Sequence, residues 1–305
     1  MTLAAGQGKY LVPDDLLLVG DIVFRVEAGA PSSDVLTVSV VRGTDLNQAN
    51  ARAWRKVAHA AQEGGMARTD PAKTVVARPY NYTQIFKDWC EVTGTMAVIK
   101  RYGYVTERAY QEAKVLKQLA IDLEHNILYG VRSYAAGPPR KSTMGGLFEY
   151  VYLNGISNSW ATVINAGGAA FDEVTLNNCL QKIWEAGGQP SAIAVNGFNK
   201  RRITGWATPR IRTDRTEGTA GASIGTYEPD FGTLDIIKDR WLRGSDVPIL
   251  SKDQIGIGPL IGRQFTSREL PVTGDFTWYE ILGEYTMEVH KPAVAHGWIY
   301  NTATS

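Results

Sequence analysis

The sequence predicts an α+β fold, in which helices and sheets occupy different parts of the chain. Three observations indicate this class. Runs rich in Val, Ile and Leu lie near the N-terminus, apolar residues with helical spacing lie in the middle, and segments of β-rich composition follow towards the C-terminus. We therefore expect helices in the central part of the chain and sheets on both sides of it.

The first expected element is a β-hairpin near the N-terminus. Two apolar runs flank a turn-forming Gly-Ala-Pro-Ser-Ser-Asp segment in LLLVGDIVFRVEAGAPSSDVLTVSVVRG. Both faces of the second run carry apolar residues, and an isolated hairpin is marginally stable in water, so we expect both faces to contact other groups. Residues 43–78 are mostly polar and contain Gly-Gly and Pro, which predicts a long loop.

A long helix is expected at residues 106–129, within TERAYQEAKVLKQLAIDLEHNILYG. Its apolar residues recur at spacings of three and four, which is the pattern of one helical stripe. They are Ala109, Ala113, Leu116, Ala120, Leu123 and Ile127. Thr106 has the side chain of an N-cap residue, and Gly130 follows the last turn. Such a helix would be roughly 35 Å long, which suits a structural spine.

A second helix and several short strands are expected after the long helix. The segment TLNNCLQKIWEAGG places Leu176, Cys179, Leu180 and Ile183 on one helical face and ends in two glycines. PSAIAV predicts a short buried strand. Strand composition recurs in GTLDIIKDRWL, VPILS, FTWYEILGEYTMEVH and AHGWIYN.

The overall composition is that of an ordinary globular protein. The 305 residues are 44% apolar and 21% charged, and 32 basic residues balance 31 acidic ones. These values exclude a disordered chain and a strong overall attraction to nucleic acid or to an anionic membrane. No apolar run of 18 residues and no signal-peptide pattern occurs, so we expect a soluble, unsecreted protein whose NYT triplet is not glycosylated.

No catalytic residue, metal ligand or cofactor is predicted. The four histidines show neither H-x-x-x-H nor H-E-x-x-H spacing, and the two cysteines are isolated from each other. Cys179 has apolar helical neighbours and is expected to be a small buried side chain. The glycine-rich segments GIGPLIG (256–262) and GTAGASIG (218–225) lack the spacing of nucleotide-binding loops, and we expect turns there.

One cluster of basic residues stands out in NKRRITGWATPRIRTDR. Its six cations surround a single carboxylate, and they are Lys200, Arg201, Arg202, Arg210, Arg212 and Arg215. A solvated loop or an intersubunit salt-bridge surface explains the cluster most simply. The alternative is contact with phosphates, which would be nonspecific and sensitive to salt, because only one aromatic residue is available for stacking on bases.

Nine segments carry a family resemblance, and they occur in a fixed order along the chain. They are VGDIVFRVEAG, LTVSVVRG, QEGG, NYTQIFKDWCEVTGT, YQEAKVLKQLAIDLEHNILYG, GGLFEYV, LQKIWEAGGQPSAIAV, YEPDFGTLDIIKDRWL and GEYTMEVHKPAVAHGWIYN. In this order they resemble major capsid proteins of tailed bacteriophages that have the Hong Kong 97-like shell fold. The resemblance covers nearly the whole chain and depends on the order of the segments rather than on one motif.

The resemblance implies four regions. Residues 1–86 would form an extended loop region with an enlarged β portion, and the N-terminal arm would be short or missing. Residues 87–164 would form a peripheral domain with its spine helix at 106–129. Residues 165–260 would form an axial domain near the centre of a capsomer. Residues 261–305 would return to the peripheral domain as strands.

The function implied by the resemblance is that of a major capsid protein. Copies would assemble into hexamers and pentamers, contact neighbouring capsomers, and close an icosahedral shell around double-stranded DNA. Decoration, scaffolding and portal proteins would be further partners, contact with DNA would be weak and nonspecific, and no membrane would take part. The protein would assemble in the cytoplasm of a bacterial host and reside in the virion. The lysine-to-asparagine cross-link of some relatives is not assigned to any pair of residues.

Residues 81–95, NYTQIFKDWCEVTGT, would lead from the extended loop region to the peripheral domain. The spacing of the aromatic residues fits a helix face as well as a strand, but EVTGT favours extended chain. We expect Tyr82, Phe86 and Trp89 to pack at a subunit boundary.

Two other classes of protein remain open at this point. The first is an encapsulin-like compartment or another structural protein of the virion. The second is an enzyme with scattered carboxylates such as Asp230, Glu280 and Glu284, whose site would be an apolar cleft with converging titratable groups.

Overall fold

The structure is a computed structural model, and it describes residues 1–3, 7–28, 33–43, 53–61, 63, 79–99, 102–103, 106–207, 225–272 and 274–304. The chain divides into two compact units, Met1–Pro79 and Tyr80–Ser305. The first unit ends at Pro79, whereas the extended loop region was expected to continue to residue 86.

The first unit contains an antiparallel four-stranded sheet with the order β3-β2-β1-β4. Its strands are β1 (Asp15–Val19), β2 (Ile22–Ala28), β3 (Thr37–Arg42) and β4 (Trp54–His59). The predicted pairing of the two apolar runs is found between β2 and β3. The first run, however, is two strands, because Gly20 with its positive φ of 61° turns the chain between β1 and β2.

Strand β4 corrects the prediction that residues 43–78 form only a loop. The sequence WRKVAH is mostly exposed, and its apolar and polar residues do not alternate, so it lacks the periodic signal of a strand. Its position follows from buried Asp15 on β1, whose carboxylate lies 2.6 Å from Lys56 Nζ and 3.1 Å from His59 Nδ1. These contacts attach β4 to the edge of the sheet, and the core beneath contains Leu17 and Phe24.

The second unit contains two larger sheets and most of the helices that the structure describes. In chain order its elements are β5 (Gln84–Thr93), α1 (Gly94–Val98), α2 (Glu107–Tyr129), β6 (Ser133–Ala135), β7 (Lys141–Thr143), a π-helical segment (Phe148–Leu153), α3 (Asn154–Ser157), β8 (Val163–Asn165), α4 (Glu173–Glu185), β9 (Ala192–Val195), α5 (Gly197–Ala207), β10 (Thr226–Tyr227), β11 (Leu234–Lys238), β12 (Val247–Leu250), β13 (Ile255–Pro259), β14 (Thr266–Glu269), β15 (Phe276–Val289), α6 (Pro292–Ala295) and β16 (Gly297–Tyr300). Strand β15 pairs with β5 along one side and with β13 and β14 along the other. The other sheet has the order β10-β11-β9-β12-β16-β8.

Helix α2 is the long helix predicted at residues 106–129. Thr106 Oγ1 accepts a hydrogen bond from the Ala109 N–H at 3.4 Å, and the Gly130 N–H closes the last turn on the Asn126 carbonyl at 2.8 Å. The helix buries Leu119 against Phe86 of β5 and Ile281 of β15.

The predicted apolar stripe of α2 is only partly covered within the single chain. Leu123 and Ile127, at the C-terminal end of the stripe, pack against the core beside the π-helical segment. The N-terminal part is exposed in the single chain, and it consists of Ala109, Ala113, Leu116 and Ala120. The sheet meets the neighbouring row of the helix, through Val115 and Leu119.

The six-stranded sheet forms the largest core together with α4. Leu176, Cys179, Leu180 and Ile183 are all buried against it, as the helical pattern predicts. Burial raises the pKa of the Cys179 thiol to about 12, so this residue is a small buried side chain and not a nucleophile.

Two C-terminal predictions need correction. Strands β14 and β15 lie in the sheet of β5, whereas β16, which was expected to return together with them, lies between β12 and β8 in the six-stranded sheet. The reason is that Trp298 and Ile299 of β16 are fully buried in two different cores. The segment GIGPLIG is not only a turn, because Ile255–Pro259 forms β13.

Candidate intersubunit surfaces

Strand β5 sends alternate side chains to opposite faces of its sheet. Phe86 is only 5% exposed and packs against α2 in a core of the single chain, so it offers little surface to a partner. Trp89 points the other way and is 57% exposed. Tryptophan is enriched at protein interfaces, and this side chain is available to a partner.

The outer face of the same sheet carries a buried carboxylate. Glu280 of β15 is 4% exposed, and its oxygens contact Arg268 and, at 3.2 Å, Lys87 Nζ. Burial alone would raise the pKa of Glu280, but the hydrogen bonds from the two cations outweigh this effect and hold the pKa below its ordinary value. Trp278 Nε1 donates to Glu91 at 2.9 Å. The charges of this face are therefore largely neutralised within the subunit.

The carboxylates of the enzyme alternative do not form a common site. Glu284 contacts Arg263 at 2.7 Å and accepts a hydrogen bond from Thr83, and Glu280 is held by its own cations. Asp230 lies in the turn before β11, outside the sheet that holds both glutamates. In the described ranges, no group of three or more His, Cys, Asp or Glu side chains is arranged to hold a metal ion.

The chain enters the second unit through a fixed segment ahead of β5. Asn81 Nδ2 donates to the carbonyls of Gly145 at 3.0 Å and Met287 at 2.8 Å, and Asn81 Oδ1 accepts from the Gly145 N–H. The asparagine of the NYT triplet thus joins three parts of the chain. Sequence reasoning missed this role, because a polar residue before a strand carries no signal of its distant partners.

Tyr82 lies in an aromatic group beside this segment. Its ring stacks on Tyr134 with centroids 5.2 Å apart, and Tyr80 meets it edge-on at 5.5 Å. The Arg132 guanidinium lies 4.5 Å from the centroid of the Tyr80 ring. Tyr82 is only partly exposed, whereas Tyr80 and Tyr134 present large exposed areas. The sequence pointed to Tyr82, but its two neighbours offer more surface to a partner.

The basic cluster is described only in part. Lys200, Arg201 and Arg202 lie on α5, and Arg210, Arg212 and Arg215 lie outside the described residues. Arg201 and Arg202 are exposed, but Lys200 is largely buried. Its burial, together with repulsion from Lys238, lowers the pKa of Lys200. Lys200 is therefore a poorer surface cation than the sequence suggests.

A shallow depression of about 300 Å³ lies between β8 and the outer side of α4. Polar side chains of α4 provide most of its lining, including Asn178, Gln181 and Lys182. It is open to solvent and lacks the apolar walls that are typical of small-molecule sites.

Among the helices that the structure describes, none has the length and apolar character needed to cross a membrane.

The sequence profile of the SU10 major capsid protein family matches residues 28–303. The chain belongs to this family. The match confirms the prediction of a major capsid protein, which was made from the order of the nine segments. No curated protein sequence matches this capsid protein.

Three solved structures share the fold of this major capsid protein. The cyanophage A-1(L) capsid protein is 12% identical, with a TM-score of 0.54 over 73% of this chain and 78% of the other. A chain from the structure of Microbacterium phage Oxtober96 is 10% identical, with a TM-score of 0.52 over 98% of this chain and 88% of the other. The SrpI encapsulin of Synechococcus elongatus is 12% identical, with a TM-score of 0.52 over 75% and 78%. These likenesses confirm the predicted α+β shell fold of the Hong Kong 97 type.

Proposed function

We propose that this major capsid protein assembles into hexameric and pentameric capsomers, which close an icosahedral shell around the double-stranded DNA of a tailed bacteriophage. The observation that carries the proposal is the family match over residues 28–303. The role is structural rather than catalytic, and the neutralisation of Glu280 and Glu284 by neighbouring cations supports it.

The surface of the second unit supports assembly between copies. Several large apolar side chains are exposed in the single chain: Ile85, Trp89, Val98, Tyr102, Leu116 and Ile261. Burial of apolar area contributes roughly 25 cal/mol per Å², so each such contact adds modestly to the stability of a complex. Icosahedral symmetry repeats every contact many times, and the shell is stable even where a single contact is weak.

The regions of the shell fold are assigned from the sheets. We assign the first unit to the extended loop region and the sheet of β5, β13, β14 and β15, with α2 against it, to the peripheral domain. The six-stranded sheet with α4 and α5 belongs to the axial domain. Strand pairing in this sheet extends the axial assignment to β8 and β16, beyond the range 165–260 expected from the sequence.

Contact with packaged DNA is weak and nonspecific in this proposal. The formal net charge of +1 gives the shell wall little overall attraction to phosphates. The basic cluster of residues 200–215 faces either the capsomer axis or the lumen, and the exposure of Arg201 and Arg202 supports a surface role. Portal, scaffolding and decoration proteins complete the particle, which forms in the host cytoplasm and becomes the virion.

Electron microscopy of the purified chain, with light scattering over a range of salt concentrations, tests the proposal. Closed shells or capsomer rings are the expected result. A uniform monomer under every condition would contradict self-assembly. An encapsulin-like compartment is the second candidate function, because an encapsulin shares the fold. The contents of the particles distinguish the two functions: shells from phage-infected cells should hold nuclease-protected DNA, whereas a compartment should hold none.

A further inference from the structure

Among the strands that the structure describes, β5 pairs only with β15, and it therefore lies at the edge of its sheet. In this register the Gly94 N–H bonds to the carbonyl of Asp275 at 3.1 Å, and the antiparallel pattern then repeats at every second residue. The even-numbered residues of β5 therefore direct their backbone groups towards β15. The odd-numbered residues from 85 to 93 direct theirs outwards, to the open edge.

The side chains at these odd positions are all exposed. Lys87 and Glu91 lie two residues on either side of Trp89. Each has a contact within the subunit, because Lys87 lies 3.2 Å from Glu280 and Glu91 accepts from Trp278 Nε1 at 2.9 Å. The outward N–H of Trp89 is held by the Asp88 carboxylate at 2.8 Å, which shields the edge in the single subunit.

We propose that β5 of two copies pairs antiparallel across a two-fold axis at Trp89. Trp89 then lies opposite Trp89 of the second copy, and Lys87 lies opposite Glu91 of the second copy on both sides of the axis. The outward backbone groups of both strands meet as hydrogen-bonded pairs. Asp88 releases the Trp89 N–H to the second strand, and Lys87 bridges Glu280 and the Glu91 of the second copy.

Charge complementarity selects this register over its neighbours. An axis at Asp88 would place two aspartates opposite each other, and an axis at Lys87 would place two lysines opposite each other, which is destabilising. An axis at Cys90 would oppose Trp89 to Glu91 and leave Lys87 opposite Thr93. An axis between two residues would pair odd with even positions and lose the hydrogen bonds of the outward groups.

The pairing rests on the proposed self-assembly, because one pair of strands is too small to hold a dimer in dilute solution. Stable specific interfaces bury about 1,200 Å² or more, and a contact of two strand edges falls below that range. Symmetry in a shell supplies the other contacts. The pairing is therefore expected in assembled particles, at a two-fold or local two-fold position between subunits.

Cysteine cross-linking in assembled particles tests the register. All variants carry Cys90→Ala, so that the introduced thiol is the only one on β5. Trp89→Cys should give disulfide-linked dimers on mild oxidation, because the two Cα atoms of a hydrogen-bonded pair are about 5.5 Å apart, within disulfide range. Lys87→Cys alone should give at least tenfold fewer disulfide-linked dimers, because residue 87 of one copy is then roughly 14 Å along the strands from residue 87 of the other.

A mixed particle gives the matched control. When chains with Lys87→Cys and tagged chains with Glu91→Cys assemble together, linked pairs should contain one chain of each kind. This second arm decides the question if Trp89→Cys prevents assembly. The proposed pairing, but not the proposed function, would be overturned by shells in which neither Trp89→Cys nor the mixed particles give linked dimers. Shells in which Lys87→Cys chains link to each other as readily as Trp89→Cys chains would overturn it too. Absence of shells from the unmodified chain would overturn the proposed function as well.

Discussion

Acid should destabilise the second unit through His296, which lies between α6 and β16. The side chain is 0% exposed, and its Nδ1 accepts a hydrogen bond from the Ser251 N–H at 3.3 Å. Burial lowers the pKa of His296 from 6.5 to about 4, because a charged imidazolium would be separated from water. The unfolded chain therefore takes up this proton first as the pH falls.

The sign and size of the effect follow from the two pKa values. The folded state is at no disadvantage above about pH 6.5, and the free energy of unfolding falls by up to about 1.4 kcal/mol per pH unit below it. The loss levels off near pH 4 at about 3 kcal/mol. Between about pH 7.5 and pH 4.5, His296 should account for a loss of about 2.5 kcal/mol.

Urea unfolding of His296→Asn measures this contribution. The Asn side-chain oxygen can still accept from Ser251, but it does not titrate, so the fall in unfolding free energy between the two pH values should be about 2.5 kcal/mol smaller than in the unmodified chain. Tryptophan fluorescence reports the transition, since Trp298 lies two residues away in the core. His290→Asn removes an exposed imidazole and serves as the control. An equal pH dependence in the His296 variant and the unmodified chain would refute the reasoning.

Three further predictions concern assembly and the strand β5 region. Trp89→Ala should reduce the yield of particles more than it reduces the stability of the subunit, whereas Phe86→Ala should lower the free energy of unfolding by about 3–5 kcal/mol. An unchanged particle yield together with an unfolded Trp89→Ala subunit would contradict the assembly role of Trp89. Asn81→Ala should lower the free energy of unfolding in urea by about 2–4 kcal/mol, because it removes the three hydrogen bonds that join Asn81 to Gly145 and Met287; a loss below 1 kcal/mol would contradict the role of Asn81 in joining these parts of the chain. Charge reversal at Arg210 and Arg212 should weaken capsomers or DNA retention, and unchanged salt stability and DNA content would dismiss the proposed role of the basic cluster.

Local signals explain what could be predicted from the sequence. The ends of α2 follow from the Thr106 cap and Gly130, and the buried face of α4 follows from the spacing of Leu176 and Ile183. Each of these features depends on residues within one or two helical turns. The same holds for β5, where the alternation of side chains in an extended strand places Phe86 and Trp89 on opposite faces.

Long-range pairing explains what the sequence left undetermined. Periodicity finds the apolar stripe of α2, but the choice of the covered row depends on where β5 and β15 lie, and so Leu116 is exposed while Leu119 is buried. Likewise, AHGWIYN has the composition of a strand in either sheet, and only the two cores that receive Trp298 and Ile299 fix the place of β16. The partners of Glu280 are on other strands and could not be assigned from its neighbours.

Electron cryomicroscopy of particles formed by this chain tests the central claim most directly, since it shows how the copies are arranged. The expected result is a closed icosahedral shell in which rings of five and six subunits can be counted. Open tubes, irregular aggregates or single subunits in every condition that is tried would contradict the assignment of this chain as the building block of a capsid.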